Sequence, residues 1–417
     1  MVSIKSDNEK KRKNRTICLP FDKAVYEKII HDPHEFRKAL NNFIAAFPEL
    51  FPCAINNKGY VMKDIYPSRK LLMPIRRIEV DGISYTIRPS FVTPYMTGFT
   101  EDIEKALFLR KFGVPFWALS YVFGKDSSYW FRIEQTIGRN SIVGTTARFT
   151  ENLPQHLAAD EKHTRMKGDK VYIATVVGKE CILGVSVTNN AGEDSLVEAY
   201  GVFKDEIQCT HPEYKPLTVN TDGWKATQKA WLFLFPTIVI ICCFLHVFIK
   251  MRDRAKKKFR EIFNSVATQL WHCYQADTKR SFSQRIRRLK DRCKDLPNCI
   301  SDPIKKMQKN IGSYSKAYDF PGSHRTSNML DRLMQRMDLH LFKTQYFHGD
   351  IESSQLSIRG WALIQNFAPS NPTTVRKYKG MQSPSERLNK FAYHQNWMQN
   401  LLVSASLGGY KHPPQNP

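Results

Sequence analysis

Three aspartates stand where metal-assisted phosphodiester chemistry would need them. Asp160 ends the apolar run HLAAD, Asp222 ends the run LTVNTD, and Asp331 lies in SNMLDRLMQRMDLHLF, where it flanks a stripe of Leu330, Leu333, Met334, Met337 and Leu341 at helical spacing. Cutting or transferring a phosphodiester calls for two divalent cations held close together. Mg2+ (or Mn2+) takes oxygen ligands and retains water, so three carboxylates converging from two strand ends and one helix suffice to hold it. Asp338 and Glu352 are rivals for the third position, and Glu161, His163 and Trp224 are placed to order water or DNA. Taken singly, each acid is better read as a helix cap or surface residue; only the set, embedded in a suitable sheet, points to catalysis.

The surrounding segments predict such a sheet. Short β-branched runs at 171–177 and 182–187, separated by Gly178-Lys179-Glu180, form antiparallel strands, and 156–159 opens a strand before them. A helix over 193–203 leads to a strand at 217–220, and a helix over 223–235 leads to a buried strand at 237–243. That last strand is expected at the centre of the sheet, beside the one ending at Asp222. It belongs to the apolar segment WLFLFPTIVIICCFLHVFI (231–249), flanked by Lys229 and the basic run 250–258, which by length and flank also fits a membrane span. The soluble alternative divides the segment at Pro236.

Charge narrows the partners. Against 39 Asp and Glu stand 63 Lys and Arg, a formal net charge of +24, and such a surplus calls for nucleic acid or an anionic membrane surface. Nine cysteines without a CxxC pair, and a lysine-rich start in place of a secretory apolar core, point to a reducing, cytoplasmic setting. Residues 3–15 form a charged tail with no assigned role. A β-hairpin over 77–88 turns at Asp81-Gly82. Three helices at 101–112, 115–123 and 127–137 suit a helix-turn-helix whose third helix would set Tyr129, Arg132 and Gln135 in the major groove, where Arg pairs with guanine and Gln with adenine. A three-helix bundle without groove contact fits the same apolar spacing. Basic residues predominate over 251–310 on amphipathic helices, and Lys256, Lys257 and Lys258 are candidate DNA contacts there. From Gly380 onward the chain is rich in Pro, Ser, Asn and Gln and is expected to be only partly ordered.

The motifs LAADEKHT, TVNTDGWKATQKAW, CCFLHVFIKMRDRAKKKF and HRTSNMLDRLMQRMD together resemble those of the DDE transposases, and within them the Mutator-like and related insertion-sequence enzymes, over roughly 153–369. The resemblance implies an α/β, RNase H-like catalytic domain, a mixed five-stranded sheet with helices and a helical insertion, preceded by a mainly helical DNA-binding region. Its metal-binding acids fall on Asp160, Asp222 and Asp331, although the family's third acid is usually glutamate. The family's Cys-x-x-His pair falls on Cys243 and His246, for which packing and metal ligation are both open. The expected layout is an N-terminal region (1–90), a helix-turn-helix-like region (91–150), a first catalytic part (151–250), a basic helical insertion (251–315), the part carrying the third acid (316–370) and a partly ordered tail (371–417). The implied activity is cleavage at transposon ends and transfer of the 3′-hydroxyl into target DNA, with Mg2+ (or Mn2+). It would be carried out by a homodimer on double-stranded DNA, in the cytoplasm at the nucleoid if the host is prokaryotic, without a membrane partner. The alternatives are a single-pass membrane protein with a basic juxtamembrane region and a catalytically inactive, transposase-derived DNA-binding protein.

Overall fold

A computed structural model of the chain describes residues 14–410, so the expected basic tail lies almost wholly outside the described residues. The fold is mixed α/β, with helices around two mixed sheets. The first sheet holds β1 (Thr16–Leu19), β2 (Val61–Pro67), β3 (Pro74–Val80) and β4 (Ile83–Pro89), in the order β1-β4-β3-β2. The expected hairpin is β3 and β4, paired antiparallel with Val80 opposite Ile83, and both Asp81 and Gly82 take the positive φ that a two-residue turn demands. Two helices, α1 (Lys23–Ile29) and α2 (Pro33–Ala46), start on Asp22 and Asp32, whose carboxylates accept backbone N–H groups of the first turn. Three further helices follow as anticipated: α3 (Thr100–Arg110), α4 (Phe116–Phe123) and α5 (Ser127–Gly138).

The second sheet holds β5 (His156–Met166), β6 (Asp169–Gly178), β7 (Cys181–Thr188), β8 (Thr218–Thr221) and β9 (Val239–Cys242), in the order β7-β6-β5-β8-β9. The first three form an antiparallel meander, and β8 and β9 add in parallel. Parallel addition needs crossovers, supplied by α6 (Glu193–Thr210) before β8 and α7 (Lys225–Leu234) before β9. Tyr200 and Phe203 of α6 and Trp231 of α7 bury one face of the sheet together with Leu157, Val176 and Val219.

Two expectations change here. Strand β5 continues to Met166, so Asp160 sits within the strand opposite Thr175 instead of at its end. The strand expected at 237–243 is shorter and lies at the sheet edge, not at its centre. It is apolar because 311–319 packs against it, leaving Ile241 fully buried and Val239 half-buried. Pro236 and β9 divide the apolar run between α7 and α8 (Phe244–Ala255), and among the described residues no helix is long and apolar enough to cross a membrane. Ile241→Asp is accordingly expected to cost on the order of 3 to 5 kcal/mol, since the charge would be buried without a partner. Val239→Asp keeps contact with water and should cost much less; thermal denaturation of the two variants side by side checks that order.

After β9, α8 packs with α9 (Arg260–Tyr274), α10 (Lys279–Arg292) and α11 (Asn298–Lys309) around a core of their own, including Phe244, Leu270, Phe282, Ile286 and Ile300. The helical insertion therefore begins at Phe244, earlier than the expected boundary at 251. Beyond it come α12 (Asn328–Lys343) and α13 (Ile351–Phe367). Helix α13 is central: it packs on both α5 and β7 and buries Ile358, Trp361 and Ile364. Its approach to α5 is backbone to backbone, since a Cβ on Gly138 would lie 1.9 Å from the Leu356 carbonyl oxygen and one on Gly360 would lie 2.2 Å from that of Glu134.

Two boundaries shift as a result. The first sheet, α3 to α5, α12, α13 and one face of the second sheet share a single core, so the expected border at 150 does not separate independent cores. The segment after 371, expected to be partly ordered, packs into that same core through α14 (Trp397–Ser404), where Met398, Leu401, Leu402 and Val403 are buried. Its polar residues are caps: Asn371, Ser383 and Asn396 each accept N–H groups of the helix they precede. A composition read as disorder is here that of short, capped helices; residues 411–417 lie outside the described residues.

Candidate functional site

Three elements converge on Asp160. Successive residues of β5 alternate in direction, so Asp160 and Glu161 face different neighbours. His246 stands in the first turn of α8 with Nε2 3.8 Å from Asp160 Oδ2. Asp331 stands in the first turn of α12, and one ligand atom from each of Asp160, His246 and Asp331 lies within 4.8 Å of the others. The His246 Nδ1 atom is buried with no hydrogen-bond partner in the protein.

Asp331 is held by a short relay. The Ser327 N–H donates to Cys243 Sγ at 3.2 Å, and the Ser327 hydroxyl donates to Asp331 Oδ2 at 2.8 Å. The Cys-x-x-His pair therefore divides its work: Cys243 anchors the third acid through Ser327, while His246, one turn on, faces the first. Burial pushes the Cys243 thiol up, and Cys243 is not part of the ligand group.

Asp222 lies at the end of β8 but outside that group. Its Oδ1 accepts the Trp224 N–H at 2.7 Å, and Lys250 Nζ lies 3.8 Å from its Oδ2. It still acts on the centre: burial, opposed by His246 and reinforced by the charges of Glu161 and Asp222, raises Asp160 to about 7. Glu161 is also raised, chiefly by burial, and accepts hydrogen bonds from the Tyr200 and Thr227 hydroxyls at 2.7 and 2.8 Å. A half-buried carboxylate raised first by desolvation, with two further acids adding to the rise, is one whose ionised form a divalent cation would favour. Two carboxylates and an imidazole form a reasonable ligand set; the nitrogen tilts it toward Mn2+ or another transition ion over Mg2+.

Asp160 and Asp331 line a groove of about 650 Å³, together with the cations Lys162, Arg252 and Arg332 and His163. Of the rival acids, Asp338 lines the groove but pairs with Lys162 at 2.7 Å. Glu352 is exposed in the first turn of α13 and is not among the groove residues.

The expected DNA-reading residues fare unequally. Lys256, Lys257 and Lys258 are exposed just beyond α8. On α5, Arg132 is exposed, but Tyr129 is half-buried and the Gln135 amide donates to the Ser353 hydroxyl at 2.6 Å. Helix α5 is wedged between α4 and α13, so it does not present the three side chains together as a recognition helix would. The role of His246 opposite Asp160, and that of Ser327, did not emerge from the reading of the chain; the one signal for them was a Cys-x-x-His step at the start of a helix following an apolar strand. No family model matches the chain, and no curated protein matches it significantly.

Proposed function

We propose that the chain is a DDE/D-type DNA transposase with an RNase H-like catalytic domain, cutting transposon ends and joining the 3′-hydroxyl to target DNA. The observation that carries this reading is the meeting of Asp160, His246 and Asp331, two of which, Asp160 and Asp331, line a groove with basic residues, with Asp222 close enough to act on Asp160. The reading is supported by a mixed five-stranded sheet with helices and a helical insertion, the layout the resemblance implies; here three antiparallel strands are followed by two parallel ones reached through helices. Of the two divalent cations that the chemistry calls for, one bound there would either activate the attacking oxygen or stabilise the leaving one. Asp160 and Asp331 would hold it with His246, while Lys162, Arg252 and Arg332 contact phosphate and the exposed lysines after α8 extend the basic surface.

The deciding experiment incubates the full chain with duplexes carrying the DNA that flanks its gene, with Mn2+ or Mg2+. Nicks exposing 3′-hydroxyls at inverted-repeat ends are expected; intact duplex with either ion would refute the reading. Binding to duplex DNA is also expected to weaken steeply with salt, because each neutralised phosphate releases counterions. An affinity independent of ionic strength would contradict a DNA partner for this surplus of charge. One observation favours a second reading, an inactive transposase derivative: Lys250 stands beside Asp222, outside the ligand group. The same assay separates the two, since that derivative binds the ends without cutting them.

A further inference from the structure

Residues 324–327 lead into α12 and are tied to the elements around the carboxylate centre. The Asn220 amide of β8 donates to the His324 carbonyl oxygen at 2.8 Å, and the Phe244 N–H, at the start of α8, donates to that of Arg325 at 3.0 Å. Ser327 then reaches Cys243 and Asp331. The first turns of α8 and α12, which bear His246 and Asp331, therefore meet on one short strap. An aspartate side chain is short, so its carboxylate lies where the start of its helix puts it, and a metal ligand set tolerates little error in that placement.

The strap, His-Arg-Thr-Ser, has no apolar side chain to anchor it. Its side-chain anchor is Arg325. The Nη2 group donates to the Tyr274 carbonyl oxygen and to the Tyr318 hydroxyl, both at 2.6 Å. The guanidinium also lies 4.4 Å from the centre of the Tyr274 ring, 4.5 Å from that of Tyr318 and 5.8 Å from that of Phe282. The Tyr318 hydroxyl in turn donates to the Ala276 carbonyl oxygen at 2.8 Å. All of these groups belong to the helical insertion: Tyr274 ends α9, Phe282 stands in α10 and Tyr318 in the short helix Lys316–Asp319. Tyr274 and Phe282 pack in addition on Phe244, at the start of α8. A planar guanidinium can stack on rings and donate in its own plane at once, which a lysine ammonium cannot.

Position gives this cage its consequence. Arg325 lies two residues before the hydroxyl that holds Asp331, and its own carbonyl holds the first residue of the helix that carries His246. We infer that Arg325 is a positioning residue of the centre: held by the insertion, it fixes residues 325–327 and with them the spacing of His246 and Asp331 for a divalent cation. The inference rests on the metal centre of the transposase reading. It makes the insertion, which supplies only His246 to the ligand group, a determinant of how tightly that group holds its ion.

The test titrates the full chain with Mn2+ in the absence of DNA and follows the free ion by electron paramagnetic resonance, well below the melting temperature of each variant. Arg325→Ala is expected to weaken Mn2+ binding about tenfold, the lower end for loss of an outer partner of a metal ligand. Tyr318→Phe keeps the ring and removes only the hydroxyl, so it should fold and bind Mn2+ about threefold more weakly. Arg325→Ala combined with Ser327→Ala should bind no more weakly than the worse of the two single variants, because both cut one line of support. Ile300→Val, elsewhere in the insertion core, should lower the melting temperature and leave Mn2+ affinity unchanged. Wild-type affinity in Arg325→Ala and Tyr318→Phe, with only the melting temperature lowered, overturns the inference and leaves Arg325 as a staple of the insertion. So does a double variant whose losses multiply. Where Arg325→Ala fails to fold, Tyr318→Phe decides alone. A wild-type chain that binds no Mn2+ overturns the inference together with the metal centre. One whose Mn2+ affinity follows the cage but which cuts no DNA keeps the inference and sinks the transposase reading.

Discussion

Asp160→Asn and Asp331→Asn are each expected to lower metal-dependent strand cleavage on the order of 10³-fold or more while DNA binding and folding persist. Asparagine keeps the shape of the side chain and removes the charge that a hard cation requires. The double variant should lose little beyond either single one, because residues serving one centre fail as a unit. Asp222→Asn removes a charge that acts on Asp160 and is expected to slow cleavage as well; a normal rate there, with loss at the other two, would leave Asp160, His246 and Asp331 as the whole centre. A readout independent of catalysis is available in the thermal stability of the protein. Asp160 is raised to about 7 by burial first and by neighbouring acids second. With its folded pKa above the unfolded value, its contribution to stability is fully present below about 4 and is lost as pH rises through about 7. Bound cation reverses that loss, so Mn2+ should raise the melting temperature above pH 7, do little at pH 5, and do little at either pH in Asp160→Asn. An equal Mn2+ effect at both values, or an undiminished one in Asp160→Asn, would remove Asp160 from the site.

Gly360→Val is expected to abolish the soluble, folded protein. A Cβ at Gly360 falls 2.2 Å from the Glu134 carbonyl oxygen, and one at Gly138 falls 1.9 Å from that of Leu356, so neither can be relieved by turning a side chain. The backbones of α5 and α13 would have to separate, loosening the buried Arg110–Glu134 pair and the hydrogen bond from the Ser357 hydroxyl to Glu134. Even Gly360→Ala should cost about 3 kcal/mol, the upper end for overpacking a tight interior. Urea unfolding would show it as a lower midpoint with an unchanged slope. Gly138→Ala plus Gly360→Ala should cost less than the sum, since both demand the same separation of helices. Wild-type stability in Gly360→Ala would mean that the two helices do not meet as described.

Much of the fold could be read from local pattern. The Asp81-Gly82 turn, the helices around Gly113 and Gly124, the strands at 171–177 and 182–187 and the amphipathic stripe of α12 follow from period and turn chemistry, which act over a few residues. Asp160 and Asp331 were likewise legible as candidates, because each adjoins an apolar run that must be buried. What pattern could not supply was long-range partnership. Nothing near Val239 in sequence tells a central strand from an edge strand covered by 311–319; only the packing of a distant segment does. Nothing near Gln135 says that its amide is taken by Ser353, or that the Ser and Asn residues after 371 are caps rather than signs of disorder. The centre shows the same division. Carboxylates at strand ends and on an amphipathic helix are properties of local sequence, whereas the exchange of Asp222 for His246 in the ligand group, and the hold of Cys243 on Asp331 through Ser327, depend on where the first turn of α8 meets the first turn of α12. Period and composition act through nearest neighbours along the chain. Coordination and burial depend on distances between residues far apart in it, and only the folded chain sets those.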